Sequence, residues 1–191
     1  MADDTAALLR ELGIAHADLF GYSMGGGIAP QVAARHPELV RKLVIAASAF
    51  SPDGPYPEVL ENIRNLKPED FAGSPWLEGY ARVAPDPEGW PTLLAKVRQL
   101  VGHFKGWPPE VIEEIEAPAL VIVADSDVLR PEHAVELFRL LGGGVAGDLA
   151  GLPRSQLAVL PGTTHVSLVE RADWLTPMIT EFLEAPMPEV K

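Results

Sequence analysis

A short motif at the end of an apolar stretch limits the folds open to this sequence. Residues 17–20 are mostly apolar and lead directly into Gly-Tyr-Ser-Met-Gly at positions 21–25, which fits the pattern G-x-S-x-G. Small residues follow as far as Arg35, and they favour a helix that ends before Pro37. A strand, a tight turn and a helix in this order place a serine hydroxyl in the open, above the edge of a sheet.

The chemistry of such a turn depends on its glycines and on the helix that follows. Side chains larger than hydrogen at Gly21 and Gly25 are expected to collide with neighbouring backbone. Ser23 then lies at a helix N-terminus, where the Met24 amide donates to a developing oxyanion and the helix dipole adds to its stabilisation. A glycine-rich turn with an idle serine is the alternative interpretation.

Two further segments carry the groups that a nucleophilic serine needs, namely a base and a carboxylate that orients the base. Asp125 and Asp127 end one apolar run, and His165 lies just past the next. Because the carboxyl ends of parallel strands share one edge of a sheet, these residues are expected to converge on Ser23. The chain order of serine, acid and histidine is the one typical of this type of turn.

Four apolar runs predict the strands of a parallel sheet. They are continuous rather than alternating, as expected for strands covered by helices on both faces. Helical patterns lie between the runs, so the predicted class is α/β with a parallel sheet and flanking helices. The predicted strands cover residues 17–20, 42–47, 119–124 and 156–160.

Residues 50–115 interrupt this alternation. They contain many prolines, several helical stretches and three of the four tryptophans, Trp76, Trp90 and Trp107. A segment of this length is too long for an ordinary connection, so it is interpreted as a helical insertion. The predicted core is therefore residues 1–49 with 116–191.

These motifs resemble those of the α/β-hydrolase superfamily. Residues 21–25 are similar to its nucleophile turn, residues 125–127 to its acid turn and residues 162–165 to its histidine loop. The resemblance implies a serine hydrolase with Ser23 as nucleophile, Asp127 as acid and His165 as base. Asp125 and Asp53 remain alternative acids, and Asp127 is preferred because the second carboxylate of such turns usually serves the histidine.

The resemblance also implies a substrate pocket under a cap. The insertion is similar to the family's helical cap, and Tyr22, Trp76, Trp90 and Trp107 are candidate substrate contacts. For the tryptophans, packing of the cap onto the body is at least as good an explanation. A small acyl ester, a lactone or a carbon–carbon diketone bond all suit such a site, and perhydrolase chemistry is not excluded.

By the same resemblance, four strands that precede the nucleophile strand in the family are missing, together with a second oxyanion donor. Residues 17–20 would then form an apolar sheet edge, which is a template for another chain. We therefore expect a homo-oligomer or a partner that supplies strands. The alternative function is a truncated, weakly active or inactive hydrolase that serves as a binding or assembly module.

Bulk properties narrow the remaining classes of function. The net charge of −12 repels phosphate backbones, so nucleic acid is not an expected partner. The sequence has no cysteine, which excludes disulfides and thiolate chemistry, and its histidines lack metal-ligand spacing. We expect no metal, no cofactor and no membrane association, a small-molecule substrate, and a cytoplasmic location.

Overall fold

The computed structural model describes residues 1–187, and its centre is a four-stranded parallel sheet. The strands are β1 (Ala17–Tyr22), β2 (Val40–Ala46), β3 (Ala119–Ser126) and β4 (Ser155–Thr164). They are hydrogen-bonded in the order β1-β2-β3-β4, so sequence order and spatial order coincide. The four strands predicted from the apolar runs are confirmed.

Helices accompany the strands in the alternating manner that the sequence predicts. The α-helices are α1 (Ala2–Glu11), α2 (Met24–Arg35), α3 (Pro57–Asn65), α4 (Pro75–Val83), α5 (Trp90–His103), α6 (Pro109–Glu113), α7 (Pro131–Leu140), α8 (Gly147–Ala150) and α9 (Ala172–Glu184). Short 3₁₀ turns lie at Pro37–Leu39, Pro68–Phe71, Pro87–Gly89 and Ser167–Glu170. Every helix within residues 1–187 falls short of the length and apolar character needed to cross a membrane.

Both faces of the sheet are buried, as the continuous apolar runs indicate. In β2, Leu43 and Ile45 belong to one hydrophobic cluster, while Val44 and Ala46 belong to a second. Residues of α1, α2, α6 and α7 complete the first cluster, and Leu175 and Phe182 of α9 join the second. Alternate residues of one strand thus enter opposite layers, as the pleat of a sheet requires.

The chain forms two compact units. The first contains residues 1–54 and the described residues from Gly106 onward, and the second contains Pro55–Lys105. Residues 50–54 and 106–115, which the sequence analysis assigned to the insertion, lie in the first unit. That the second unit covers the mouth of the site above Ser23 stays a prediction.

The second unit consists of α3, α4 and α5 and has an aromatic cluster. The ring of Phe71 lies edge-on to the rings of Trp76 and Trp90, at centroid distances of 6.4 and 5.0 Å. The Tyr80 ring lies 5.5 Å from that of Trp90. Both tryptophans therefore contact other aromatic rings within this unit.

Candidate active site

The turn after β1 holds a half-buried serine in a rare backbone conformation. Ser23 has φ of 54° and ψ of −118°, a backbone conformation that residues other than glycine rarely adopt. It is the residue directly before α2. Its amide donates to the carbonyl of Ala46 in the neighbouring strand at 2.9 Å. The backbone therefore anchors the turn to the sheet while the side chain is turned away.

One of the two expected glycine requirements is wrong. A Cβ on Gly21 would lie 2.2 Å from the carbonyl oxygen of Gly25, so Gly21 is required as expected. A Cβ on Gly25 would meet nothing within 4 Å. The close approach belongs to Gly26, where a Cβ would lie 2.5 Å from Cβ of Ser48. The phase of α2 turns Gly26, and not Gly25, towards the end of β2.

The structure brings together the three residues chosen as nucleophile, acid and base. Nε2 of His165 lies 2.9 Å from Oγ of Ser23, and Nδ1 lies 2.8 Å from Oδ1 of Asp127. If Nδ1 carries the proton and donates to Asp127, Nε2 accepts from the Ser23 hydroxyl. The imidazole is then set to take the proton of Ser23 when that oxygen attacks.

Asp127 is buried, with its side chain out of solvent contact. Its Oδ2 accepts from the Ala124 amide at 3.2 Å, and its Oδ1 accepts from the Leu129 amide at 3.4 Å. A buried carboxylate is tolerated where such donors satisfy its oxygens. Since this carboxylate holds His165, it is placed to stabilise a positive charge on that ring.

The two alternative acids are occupied elsewhere. Asp125 accepts from the amides of Gly162 at 2.8 Å and Thr163 at 3.1 Å, and these hydrogen bonds lower the pKa of its carboxyl. It therefore holds the loop that precedes His165. Asp53 accepts from the Ser51 hydroxyl and lies 3.7 Å from the Arg130 guanidinium.

Met24 is the first residue of α2, which makes its amide one of those that a helix leaves without an intrahelical acceptor. This position suits the oxyanion donor expected from the sequence. Trp107 lies in the first unit, where it packs on the core beside Gly27 of α2. Contact of Trp76, Trp90 or Trp107 with a substrate stays a prediction.

Tyr22 has a partner that the sequence analysis missed. Its hydroxyl donates to the main-chain carbonyl of His165 at 2.6 Å, and the two ring centroids are 5.2 Å apart. The hydroxyl is thus engaged inside the protein, and contact of Tyr22 with a substrate stays a prediction. No local signal reveals this bond, because it joins residues that are 143 positions apart.

His133, in the first turn of α7, is fully buried. Its Nε2 accepts from the Phe50 amide at 3.1 Å, and the two rings stack with centroids 4.2 Å apart. Burial lowers the pKa of His133 from 6.5 to about 4. Within residues 1–187, no three acidic or histidine side chains are grouped in a way that would hold a metal ion.

Comparison with known proteins gives concordant results. A family model described as the alpha/beta hydrolase fold matches residues 1–75. The pimeloyl-[acyl-carrier protein] methyl ester esterase of Neisseria meningitidis serogroup A is 25% identical over 91% of this chain and 59% of the esterase. The chain thus spans less than two thirds of the length of this curated relative.

Solved structures share the fold. The meta-cleavage product hydrolase from Pseudomonas fluorescens superposes with a TM-score of 0.67 at 22% identity, over 95% of this chain and 70% of that one. The enol-lactonase from Burkholderia xenovorans gives 0.60 at 24% identity, over 96% and 72%. Together with the parallel sheet and the serine turn after β1, these similarities show that the chain has the α/β-hydrolase fold.

Proposed function

We propose that the chain is a serine hydrolase that cleaves carboxylic esters or related acyl compounds through an acyl-enzyme on Ser23. The observation that carries the proposal is the continuous hydrogen-bonded path from Ser23 through His165 to the buried Asp127. A serine without a catalytic role needs neither a histidine nitrogen 2.9 Å from its hydroxyl nor a buried carboxylate bonded to that histidine.

The reaction follows from these contacts. Oγ of Ser23 attacks the acyl carbonyl carbon while its proton passes to Nε2 of His165, and the carbonyl oxygen becomes an oxyanion. The Met24 amide donates to that oxyanion, and the dipole of α2 adds to its stabilisation. The tetrahedral intermediate then expels the alcohol, which takes the proton from His165 and leaves an acyl-Ser23.

The second half of the cycle uses the same groups. His165 removes a proton from water, and the resulting hydroxide attacks the acyl carbon. Collapse of the second tetrahedral intermediate releases a carboxylic acid and returns the proton from His165 to Ser23. Asp127 stabilises the imidazolium at both stages.

The names of the relatives support acyl substrates in general. They comprise a methyl ester esterase, a meta-cleavage product hydrolase and an enol-lactonase. We therefore propose a small-molecule ester, lactone or diketone as substrate. A cytoplasmic location and chemistry without a metal or cofactor are part of this proposal, and the absence of cysteine supports the location.

Labelling with a fluorophosphonate tests the proposal, because only an activated serine reacts with this probe. The wild-type chain is expected to label, and Ser23→Ala is expected not to. Ser48→Ala is a matched control, since it removes a neighbouring hydroxyl and retains the Cβ beside Gly26. A folded wild-type chain that does not label would overturn the proposal.

The alternative is a weakly active or inactive member that acts as a binding or assembly module. It is favoured by the unpaired outer side of β1, since within residues 1–187 this strand hydrogen-bonds only to β2. A chain that fails to label but forms a stable complex through β1 would support this alternative.

A further inference from the structure

Ser23 and His165 lie within hydrogen-bond distance of each other although their strands are not neighbours in the sheet. Ser23 follows β1 and His165 follows β4, and these strands lie at opposite ends of the described sheet with β2 and β3 between them. Three strand spacings correspond to roughly 14 Å. No strand pairing joins β1 to β4, so the ladder alone does not fix the position of His165 relative to Ser23.

One hydrogen bond crosses this gap directly from the nucleophile strand to the histidine. Tyr22, the last residue of β1, donates its hydroxyl to the carbonyl of His165 at 2.6 Å. Because Tyr22 is adjacent to Ser23 in the chain, this bond ties the backbone of His165 to the backbone that carries the serine.

Apart from the hydrogen bond to Ser23 itself, the other restraints on His165 come from the end of β3, from the turn that follows it or from the histidine's own loop. Asp127 holds the ring at Nδ1, and Asp125 holds the amides of Gly162 and Thr163. Oγ of Ser167 accepts from the amide of Thr164 at 2.9 Å. None of these contacts reaches β1, so the phenol of Tyr22 supplies a restraint that they do not.

The Tyr22 hydroxyl is suited to act as a permanent donor. Burial and the nearby Asp127 carboxylate raise the pKa of Tyr22, so the phenol keeps its proton at neutral pH. A neutral phenol donates to a carbonyl without adding a charge beside the imidazole.

We propose that Tyr22 is a positioning residue, whose hydroxyl holds the main chain of His165 so that Nε2 stays within hydrogen-bond reach of Ser23. This inference rests on the proposed function of Ser23 and His165 and deepens it. It also separates two roles for Tyr22. A positioning residue acts on kcat, whereas the substrate contact expected from the sequence acts on KM.

Tyr22→Phe tests the inference by removing one oxygen and keeping the ring. Tyr80→Phe is a matched control, since it removes a phenol that donates to the carbonyl of Asp86 at 3.1 Å within the second unit. With p-nitrophenyl butyrate as substrate, Tyr22→Phe is expected to lower kcat about 10-fold with KM unchanged. Tyr80→Phe is expected to leave both constants unchanged.

Hydrogen exchange gives a second readout that does not depend on turnover. The segment containing residues 162–168 is expected to exchange faster in Tyr22→Phe than in wild type, and exchange of α7 is expected to be unchanged. Thermal unfolding of both variants shows whether they are folded.

The outcomes separate this inference from the proposed function. A raised KM with unchanged kcat, or no change in either constant, would overturn the positioning role. A folded wild-type chain without fluorophosphonate labelling or turnover would refute the proposed function instead. In that case hydrogen exchange decides whether Tyr22 positions the loop, since equal exchange in wild type and Tyr22→Phe would contradict it.

Discussion

Oδ1 of Asp127 lies 2.8 Å from Nδ1 of His165, although Asp125 leaves the same strand only two residues earlier. Asp125 instead accepts from the amides of Gly162 and Thr163. The two carboxylates of one turn thus have different tasks. Asp127 holds the ring of the histidine, and Asp125 holds the backbone that leads to it.

Replacement of each carboxylate by its amide is expected to separate these tasks. Asp127→Asn should lower kcat on the order of 10⁴-fold, because an amide beside Nδ1 favours the wrong tautomer of His165. Asp125→Asn should cause a smaller loss, because it weakens only the hydrogen bonds to the loop. Kinetics on a p-nitrophenyl ester measure both variants, and the reverse order of effects would contradict the assignment of Asp127.

The sequence predicts the strands and the three reactive groups because both depend on local patterns. Continuous apolar runs mark buried parallel strands, and the strand found at Ala119–Ser126 extends only two residues past the predicted run. The G-x-S-x-G pattern and the two strand ends then identify Ser23, His165 and a pair of carboxylates, and the family resemblance favours Asp127 over Asp125.

The remaining contacts depend on how distant segments meet. The sequence pattern does not show whether Gly25 or Gly26 approaches another strand, because that depends on the phase of α2 against Ser48. A histidine in the first turn of a helix looks the same whether it is exposed or, like His133, stacked on Phe50. The bond from Tyr22 to His165 requires that the ends of β1 and β4 converge.

The glycine geometry gives a paired prediction. Gly21→Ala places a Cβ 2.2 Å from the Gly25 carbonyl oxygen and is expected to destabilise the chain by about 3 kcal/mol and to abolish labelling of Ser23. Gly25→Ala meets open space and should change stability by no more than about 1 kcal/mol. Urea unfolding and fluorophosphonate labelling measure both, and equal damage from the two changes would show that the turn differs from this structure.

The buried His133 predicts a dependence of stability on pH. Its pKa is about 4 in the folded chain, against an ordinary value of 6.5. Between these values the unfolded chain binds a proton that the folded chain does not, so stability falls as pH decreases from 6.5 towards 4. From about pH 7.5 to about pH 5 this group alone should remove about 2 kcal/mol.

Urea unfolding of wild type and His133→Gln tests this pH dependence. The glutamine can accept from the Phe50 amide but does not titrate, so the loss between about pH 7.5 and about pH 5 should shrink by about 2 kcal/mol. Asp53, Arg130 and Glu136 are the charged groups near His133, and they are the same in both proteins. An unchanged pH dependence would show that His133 is not the group responsible.

The outer edge of β1 predicts self-association, the simplest form of the partnership expected from the sequence. Phe20 lies on this strand with 52% of its surface exposed, beside an apolar groove of about 360 Å³ that Leu175 and Ile179 of α9 also line. Alternate residues of a strand direct their N–H and C=O groups to opposite sides. Because the Ser23 amide points to β2, the N–H and C=O groups of Phe20 and Tyr22 point to the open side of β1. An apolar edge of this kind pairs with another strand, and β1 of a second copy offers the same groups.

Light scattering at micromolar concentration should therefore detect a dimer, and Phe20→Lys should dissociate it. Val159→Lys, at a 47% exposed position on the opposite edge strand, is the matched control and should leave the dimer intact. Added salt should strengthen the dimer, because each copy carries a net charge of −12 and salt screens their repulsion. A cooperative monomer at all salt concentrations would rule out pairing through β1.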